Sequence, residues 1–290
     1  GEYFKKGKIS DEILISTYIC HPSLCNDNIS GVAVSAILAK ILTKINTYYS
    51  YRFIFIPETI GAITWLSKNI KNISKIKHGL VITCVGNGNN LTYKKTRDGD
   101  SIIDNVVIET LEKSGKNFKI QEFYPFGSDE RQFCSPGINL PVGVLMRTPY
   151  YEFKEYHTAD DNLKIIKKKW LNDSLITLCK IISKLENEKN SENPKNKKFI
   201  ELKHDTYLNL KPKCEPQLGK RKLYREISKQ RLVDKNDSEN LKEMSIFWVL
   251  NFSDGMHSLE DISKKSELPL ELLKKSAKIL VEKKLLKKLA

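Results

Sequence analysis

Residues 13–188 alternate two kinds of segment, and that alternation narrows the fold more than any other feature of the chain. Runs rich in apolar, β-branched and aromatic residues at 13–19, 51–56, 79–85, 118–123 and 140–146 read as strands. Between them, apolar residues recur at helical spacing over 32–45, 61–70 and 102–113, and a long closing helix is expected over 163–185. Strands separated by helices imply crossover connections. The expected fold is therefore α/β, a mainly parallel mixed sheet with helices on both faces. An Asn-, Lys- and Pro-rich stretch after Asn187 ends this pattern. The α/β domain is expected to span 1–190, followed by a linker and connector over 191–238. From 239 to 290 the periodicity is helical again. A helix over 241–252 precedes a turn at Asp254-Gly255, a short helix capped by Ser258 with Asp261 three residues on, and a third helix opening at Pro269. That spacing predicts a winged-helix-like domain.

Open α/β sheets bind ligands beyond the carboxyl ends of their strands. The stretch Cys20-His21-Pro22-Ser23-Leu24-Cys25-Asn26-Asp27-Asn28-Ile29-Ser30-Gly31 joins the first strand to the first helix and lies at such an end. Asp27 reads either as a ligand or as a helix N-cap. Glu58 and His157 fall in further loops. Imidazole and carboxylate are the ligands of hydrolytic zinc sites, where an open position admits water and acidifies it. A neighbouring carboxylate can carry the proton to a leaving group. Each of these residues alone would read as a solvated surface group; His21, Asp27, Glu58 and His157 together point to a zinc centre. His78, His204 and His257 stand in polar or terminal contexts and are expected at the surface. Trp65, Trp170 and Trp248 sit in helical apolar patterns and are expected in the core.

Lys and Arg outnumber Asp and Glu by 49 to 35, a formal net charge of +14. Much of the excess lies in Lys-rich runs that read as solvated faces, so the charge does not by itself establish nucleic-acid binding. The six cysteines form no CxxC pair, which fits a reduced, cytoplasmic setting. Cys20 and Cys25 read either as further ligands or as small buried residues. No apolar run approaches the roughly 18 residues of a membrane span. The chain opens at Gly1, shortly before a strand, and is expected to lack an N-terminal part.

Asp27-Asn28-Ile29-Ser30-Gly31 resembles the DNxSG signature of zinc aminopeptidases, a group related to glutaminyl cyclases. Cys20-His21-Pro22-Ser23, Pro57-Glu58-Thr59-Ile60-Gly61, Asp129-Glu130-Arg131-Gln132-Phe133-Cys134 and Glu155-Tyr156-His157-Thr158 resemble bacterial aminopeptidase-like proteins associated with polysaccharide biosynthesis. The resemblance covers residues 1–190, and that group's winged-helix-like tail fits the remainder. It implies His21, Asp27 and His157 as metal ligands, Glu58 as proton shuttle, and catalytic parts for Asp129 and Glu130. Glu130 stands where the wider family has histidine; it reads equally as a salt-bridge partner of Arg131 or Arg147. Thr59 replaces the second of the family's paired glutamates, and neither Thr83 nor Cys84 is the carboxylate that a second ion would require. One zinc ion is therefore expected rather than two.

The expected activity is metal-dependent attack of water on an amide bond of a peptide or amide-containing small substrate. The alternatives are an altered metal-binding relative acting on a sugar-linked substrate, and a ligand sensor whose Lys274, Lys275 and Lys278 bind nucleic acid. No membrane partner is expected.

Overall fold

The computed structural model describes residues 1–88, 90–188, 203–224 and 238–289. It divides into two compact units. The first contains Gly1–Phe123, Ser128–Cys134 and the chain from Leu140 to the end of the long closing helix.

The first unit is built on β1 (Glu2–Lys5), β2 (Glu12–Tyr18), β3 (Ser50–Ile56), β4 (Ile76–Ile82), β5 (Leu91–Lys94), β6 (Phe118–Gln121) and β7 (Val142–Met146). These form one seven-stranded sheet in the order β1-β3-β2-β4-β7-β5-β6. The centre is parallel: β2 pairs with β3 and β4, and β4 with β7. Antiparallel pairing joins β1 to β3 and β5 to β7. Every residue of β2 and β7 is buried, as befits strands covered on both faces.

The helices are α1 (Ser30–Leu42), α2 (Ile60–Asn69), α3 (Ile102–Glu112), α4 (Glu130–Phe133) and α5 (Lys168–Asn187). Ile13, Ile15, Leu80, Ile82 and Leu145 pack with Val34 and Leu38 of α1, Val107 of α3, and Leu178 and Ile182 of α5. Strand alternation sends Leu14 and Val81 to the opposite face. There Trp65 of α2 meets Phe133 of α4 edge-on, with ring centroids 6.5 Å apart.

Three departures from the sequence pattern have local causes. The closing helix starts at Lys168 rather than 163, because Ile165 N–H and Ile166 N–H turn back onto Asn162 and Leu163. Ile166 then packs so close to Gly86 that a Cβ there would lie 2.7 Å from its Cδ1. The short, polar strands β1 and β5 carry too little apolar signal to be read alone. His78, expected at the surface, is 2% exposed in β4 and lies edge-on to Tyr49, with ring centroids 5.6 Å apart.

Burial, with a smaller push from Lys77, lowers the His78 imidazole to about 4. The unfolded chain takes up this proton near pH 6.5, so stability is complete above that pH and drains away as the pH falls towards 4. The loss is expected to reach about 3 kcal/mol. Urea unfolding between pH 7 and 4.5 checks it: His78→Leu should flatten the pH slope relative to wild type, and parallel slopes would refute the assignment.

The second unit contains Tyr124–Gly127, Ser135–Asn139 and the described residues from 203 onward. It holds β8 (Thr206–Asn209), α6 (Ser238–Phe252), β9 (Asp254–Ser258), α7 (Leu259–Ser266), α8 (Leu270–Glu282) and β10 (Leu286–Lys288). The sheet order is β10-β8-β9, antiparallel throughout. The stretch expected as linker thus contributes the central strand, while 191–202 and 225–237 lie outside the described residues. The expected turn at Asp254-Gly255 opens β9. Ser258 and Asp261 form the capping box of α7: Ser258 Oγ accepts the Asp261 N–H at 3.2 Å, and the Asp261 carboxylate accepts the Ser258 N–H at 3.0 Å. Leu273, Ala277 and Leu280 bury one side of α8, and Lys274, Lys275 and Lys278 stand exposed on the other. Among the described residues, no helix is long and apolar enough to cross a membrane.

Candidate metal centre

The loops beyond the carboxyl ends of β2, β3 and β4 converge, and the residues of the Asp27–Gly31 signature explain why. Asn28 Nδ2 donates to Thr17 Oγ1 at 2.8 Å and to the Tyr18 and Ile82 carbonyls at 3.3 Å; Asn28 Oδ1 accepts from Cys84 N at 3.2 Å. One side chain thereby ties the end of β2 to the end of β4. Ser30 Oγ donates to the Asn26 carbonyl at 2.7 Å and accepts the Val85 N–H at 3.1 Å. Gly31 lies so close to Asn28 Oδ1 and the Ile82 carbonyl that a Cβ would strike both. Asp27 lies in a short π-helical turn, Cys25–Ile29, before α1, and no side chain caps the start of α1. The N-cap reading of Asp27 therefore falls away.

Asp161 holds this turn from 134 and 135 residues away. Its carboxylate accepts the Asn26 N–H at 2.6 Å and the Asp27 N–H at 2.9 Å. Asp27 itself is fully buried. Its Oδ1 accepts a hydrogen bond from the Tyr18 hydroxyl and lies 3.8 Å from Cys84 Sγ. Tyr18 is 2.7 Å from Thr83 Oγ1. The other Asp27 oxygen, Oδ2, accepts no hydrogen bond. It stands 2.9 Å from His157 Nε2 and 3.9 Å from His21 Nδ1.

One ligand atom each from His21, Asp27 and His157 lies within 4.8 Å of the others. The His157 ring stacks on Tyr156, with centroids 3.9 Å apart, and lies 4.8 Å from the His21 ring. Two imidazoles and a carboxylate form a zinc-type donor set. A buried carboxylate oxygen without a donor needs a cation to offset its desolvation. The residues present therefore fit such an ion.

Glu58 lies beside this trio; its carboxylate, Cys20 Sγ and a His21 ring nitrogen are within 4.8 Å of one another. Burial raises its carboxyl to about 7, against a smaller opposing effect of the Ser128 hydroxyl. Thr59, in the position expected for a second glutamate, has φ +59° and donates its N–H to Asp129 Oδ1 at 2.6 Å. Asp129 Oδ2 is buried without a hydrogen bond, and burial holds this carboxyl well above the usual range. Glu130 turns elsewhere: Oε1 meets Lys94 Nζ at 2.7 Å, both side chains fully buried, and Oε2 accepts the Ser128 N–H at 3.1 Å. Arg147, one expected partner, pairs with Asp173 instead.

Sequence reasoning missed Tyr18, Lys94 and the clamping part of Asp161. Asp161 carried a signal, since His157-Thr158 with Asp161 also resembles the last zinc-ligand motif of the zinc aminopeptidases. Tyr18 lay within an expected strand, and nothing in its sequence surroundings marked Lys94.

A family model described as a domain of unknown function, DUF4910, matches residues 1–188. A winged helix-turn-helix model matches 205–288. A Clostridium acetobutylicum protein named as a polysaccharide biosynthesis protein with aminopeptidase-like domain is 48% identical over 287 residues, 99% of this chain and 61% of its own length. A crystal structure from Clostridium acetobutylicum, described as a peptidase, is 46% identical with a TM-score of 0.63, covering 99% of this chain and 60% of that one. The chain thus spans about three fifths of the length of both. A zinc aminopeptidase from Bacillus subtilis shares the fold at 19% identity and a TM-score of 0.56, over 66% of this chain and 51% of its own. Matched through every element of its larger, aminopeptidase-like unit, the chain belongs to the DUF4910 family.

Proposed function

We propose that the chain carries a metal-dependent hydrolase centre of aminopeptidase type, acting on an amide bond of a peptide or amide-containing small molecule. The convergence of His21, Asp27 and His157 around a buried, undonated Asp27 Oδ2 carries this reading. These three residues would hold zinc, which when bound polarises a carbonyl and acidifies water. One ion is the count the residues favour. The Tyr18 hydroxyl already engages Asp27 Oδ1, and Thr83 and Cys84 offer a hydroxyl and a thiol where a second ion would want a carboxylate.

Glu58 is the residue for proton transfer. Its carboxylate receives a proton from the attacking water and delivers it to the departing nitrogen. Burial has brought it near neutrality, where both directions are accessible. Asp129 fixes the loop that carries Glu58 by holding the Thr59 N–H. Glu130, committed to Lys94, acts as a positioning residue through Ser128 rather than as an acid or base. The lysines of α8 make a thinner case for nucleic acid, because Glu271 engages Lys274 and Glu271 and Glu282 stand exposed on the same helix.

The test uses metal-free protein reconstituted with zinc or cobalt, against chromogenic aminoacyl amides and sugar-linked amides. Glu58→Gln is expected to keep the metal and lose roughly 10²–10⁴-fold in kcat. If neither ion binds and no amide is cleaved, the reading fails.

A further inference from the structure

The loop that follows β7 carries Tyr150 into the candidate centre. Tyr150 is 8% exposed, and its hydroxyl is buried without a hydrogen bond. Its ring meets Tyr156 edge-on, with centroids 6.5 Å apart, and Tyr156 in turn lies flat on His157 at 3.9 Å. Its hydroxyl lies beside the Ser128 hydroxyl, which also lies beside the Glu58 carboxyl. Ser128 Oγ is likewise buried without an aligned hydrogen bond, and the Ser128 N–H is held by Glu130 Oε2 at 3.1 Å. Tyr150 thus spans the site from a ligand imidazole to the proton shuttle. A buried hydroxyl that forms no hydrogen bond gives up the water it had in the unfolded chain and gains nothing in the fold. Burial, with Glu130, Cys84 and Glu58 pressing the same way, holds its proton on, well above the ordinary tyrosine range. The group is a fixed, neutral donor that finds no acceptor among the described residues.

We infer that Tyr150 is a further catalytic residue, whose hydroxyl donates a hydrogen bond to the carbonyl oxygen of the scissile amide as negative charge gathers there. This rests on the hydrolase reading above. The attacking water forms its bond to the carbonyl carbon, the π pair of the carbonyl moves onto oxygen, and the Tyr150 hydroxyl meets that charge without giving up its proton. When the pair returns, the carbon–nitrogen bond breaks and the nitrogen takes the proton that Glu58 received from the water. A donor placed in advance, in a pocket shielded from water, stabilises the developing charge more than it stabilises the neutral carbonyl. Where Thr83 and Cys84 offer no carboxylate to hold a second ion, this hydroxyl supplies a second point of positive charge.

Tyr150→Phe is the test, because it removes one oxygen and keeps the ring against Tyr156. In zinc-loaded protein acting on the aminoacyl or sugar-linked amide that wild type cleaves, kcat should fall about 10²–10³-fold with zinc content unchanged. KM should stay within about threefold, since the hydrogen bond strengthens only as charge develops. Urea unfolding of the metal-free proteins separates chemistry from architecture. A hydroxyl with no partner in the fold stabilises nothing, so the midpoint of the variant should equal or exceed that of wild type. A kcat within about threefold of wild type, a loss confined to KM, or a lowered midpoint would each overturn the inference and leave the hydrolase reading standing. A wild-type protein that cleaves none of these amides would remove both.

Discussion

Asp27→Asn is expected to abolish the proposed zinc binding, with affinity falling by at least about 100-fold while the fold survives. The asymmetry of the carboxylate gives the reason. Oδ1 accepts from Tyr18, and an asparagine carbonyl oxygen can keep that bond. The amide nitrogen must then take the place of Oδ2, between His157 Nε2 at 2.9 Å and His21 Nδ1 at 3.9 Å. A donor without a lone pair would stand where the ion needs an acceptor. The Asp161 clamp on the Asn26 and Asp27 N–H groups is untouched, so the turn keeps its shape. Zinc content after dialysis, beside near-ultraviolet circular dichroism, measures the outcome. Full zinc retention by a folded Asp27→Asn protein would remove Asp27 from the ligand set.

The second large effect lies in stability. Lys94 and Glu130 are both fully buried and 2.7 Å apart, and burial draws the Lys94 ammonium below its ordinary range. Lys94→Met leaves the Glu130 carboxylate without its cation, and removing one member of a buried pair costs about 3–5 kcal/mol. Adding Glu130→Gln should recover most of that loss, because glutamine keeps an acceptor for the Ser128 N–H and carries no charge. Urea midpoints of the two single variants and the double variant give the cycle. A loss below about 1 kcal/mol for Lys94→Met alone would mean that solvent reaches the pair. Because Glu130 positions Ser128 and its neighbour Asp129 holds Thr59, the single variant should also impair the Glu58 loop.

The sheet was legible wherever burial on both faces writes itself as an apolar run. The strand over residues 13–19 emerges as Glu12–Tyr18, and the one expected over 140–146 as Val142–Met146. Short partners such as Leu91–Lys94 gain their stability from neighbours distant in sequence, and their own composition does not report it. The same limit governs the site. His21, Asp27, Glu58 and His157 are visible because their residue types are chemically unusual in loops that follow strands. Tyr18, Asp161 and Lys94 are ordinary residues made significant by hydrogen bonds and ion pairs that span 9, 134 and 36 positions. His78 misled for the opposite reason: a polar context near the start of a strand conceals a face that packs inward.

In the smaller unit, β8 sits between β9 and β10 although it precedes α6 in the chain. Those two outer strands share no hydrogen-bonded ladder with each other. A fragment cut at residue 239, where the helical periodicity begins, would carry both outer strands and leave behind the one they are pinned to. Two rows of backbone donors and acceptors would lose their partners at once. The excisable piece has to start ahead of Thr206, however helical the remainder looks on paper.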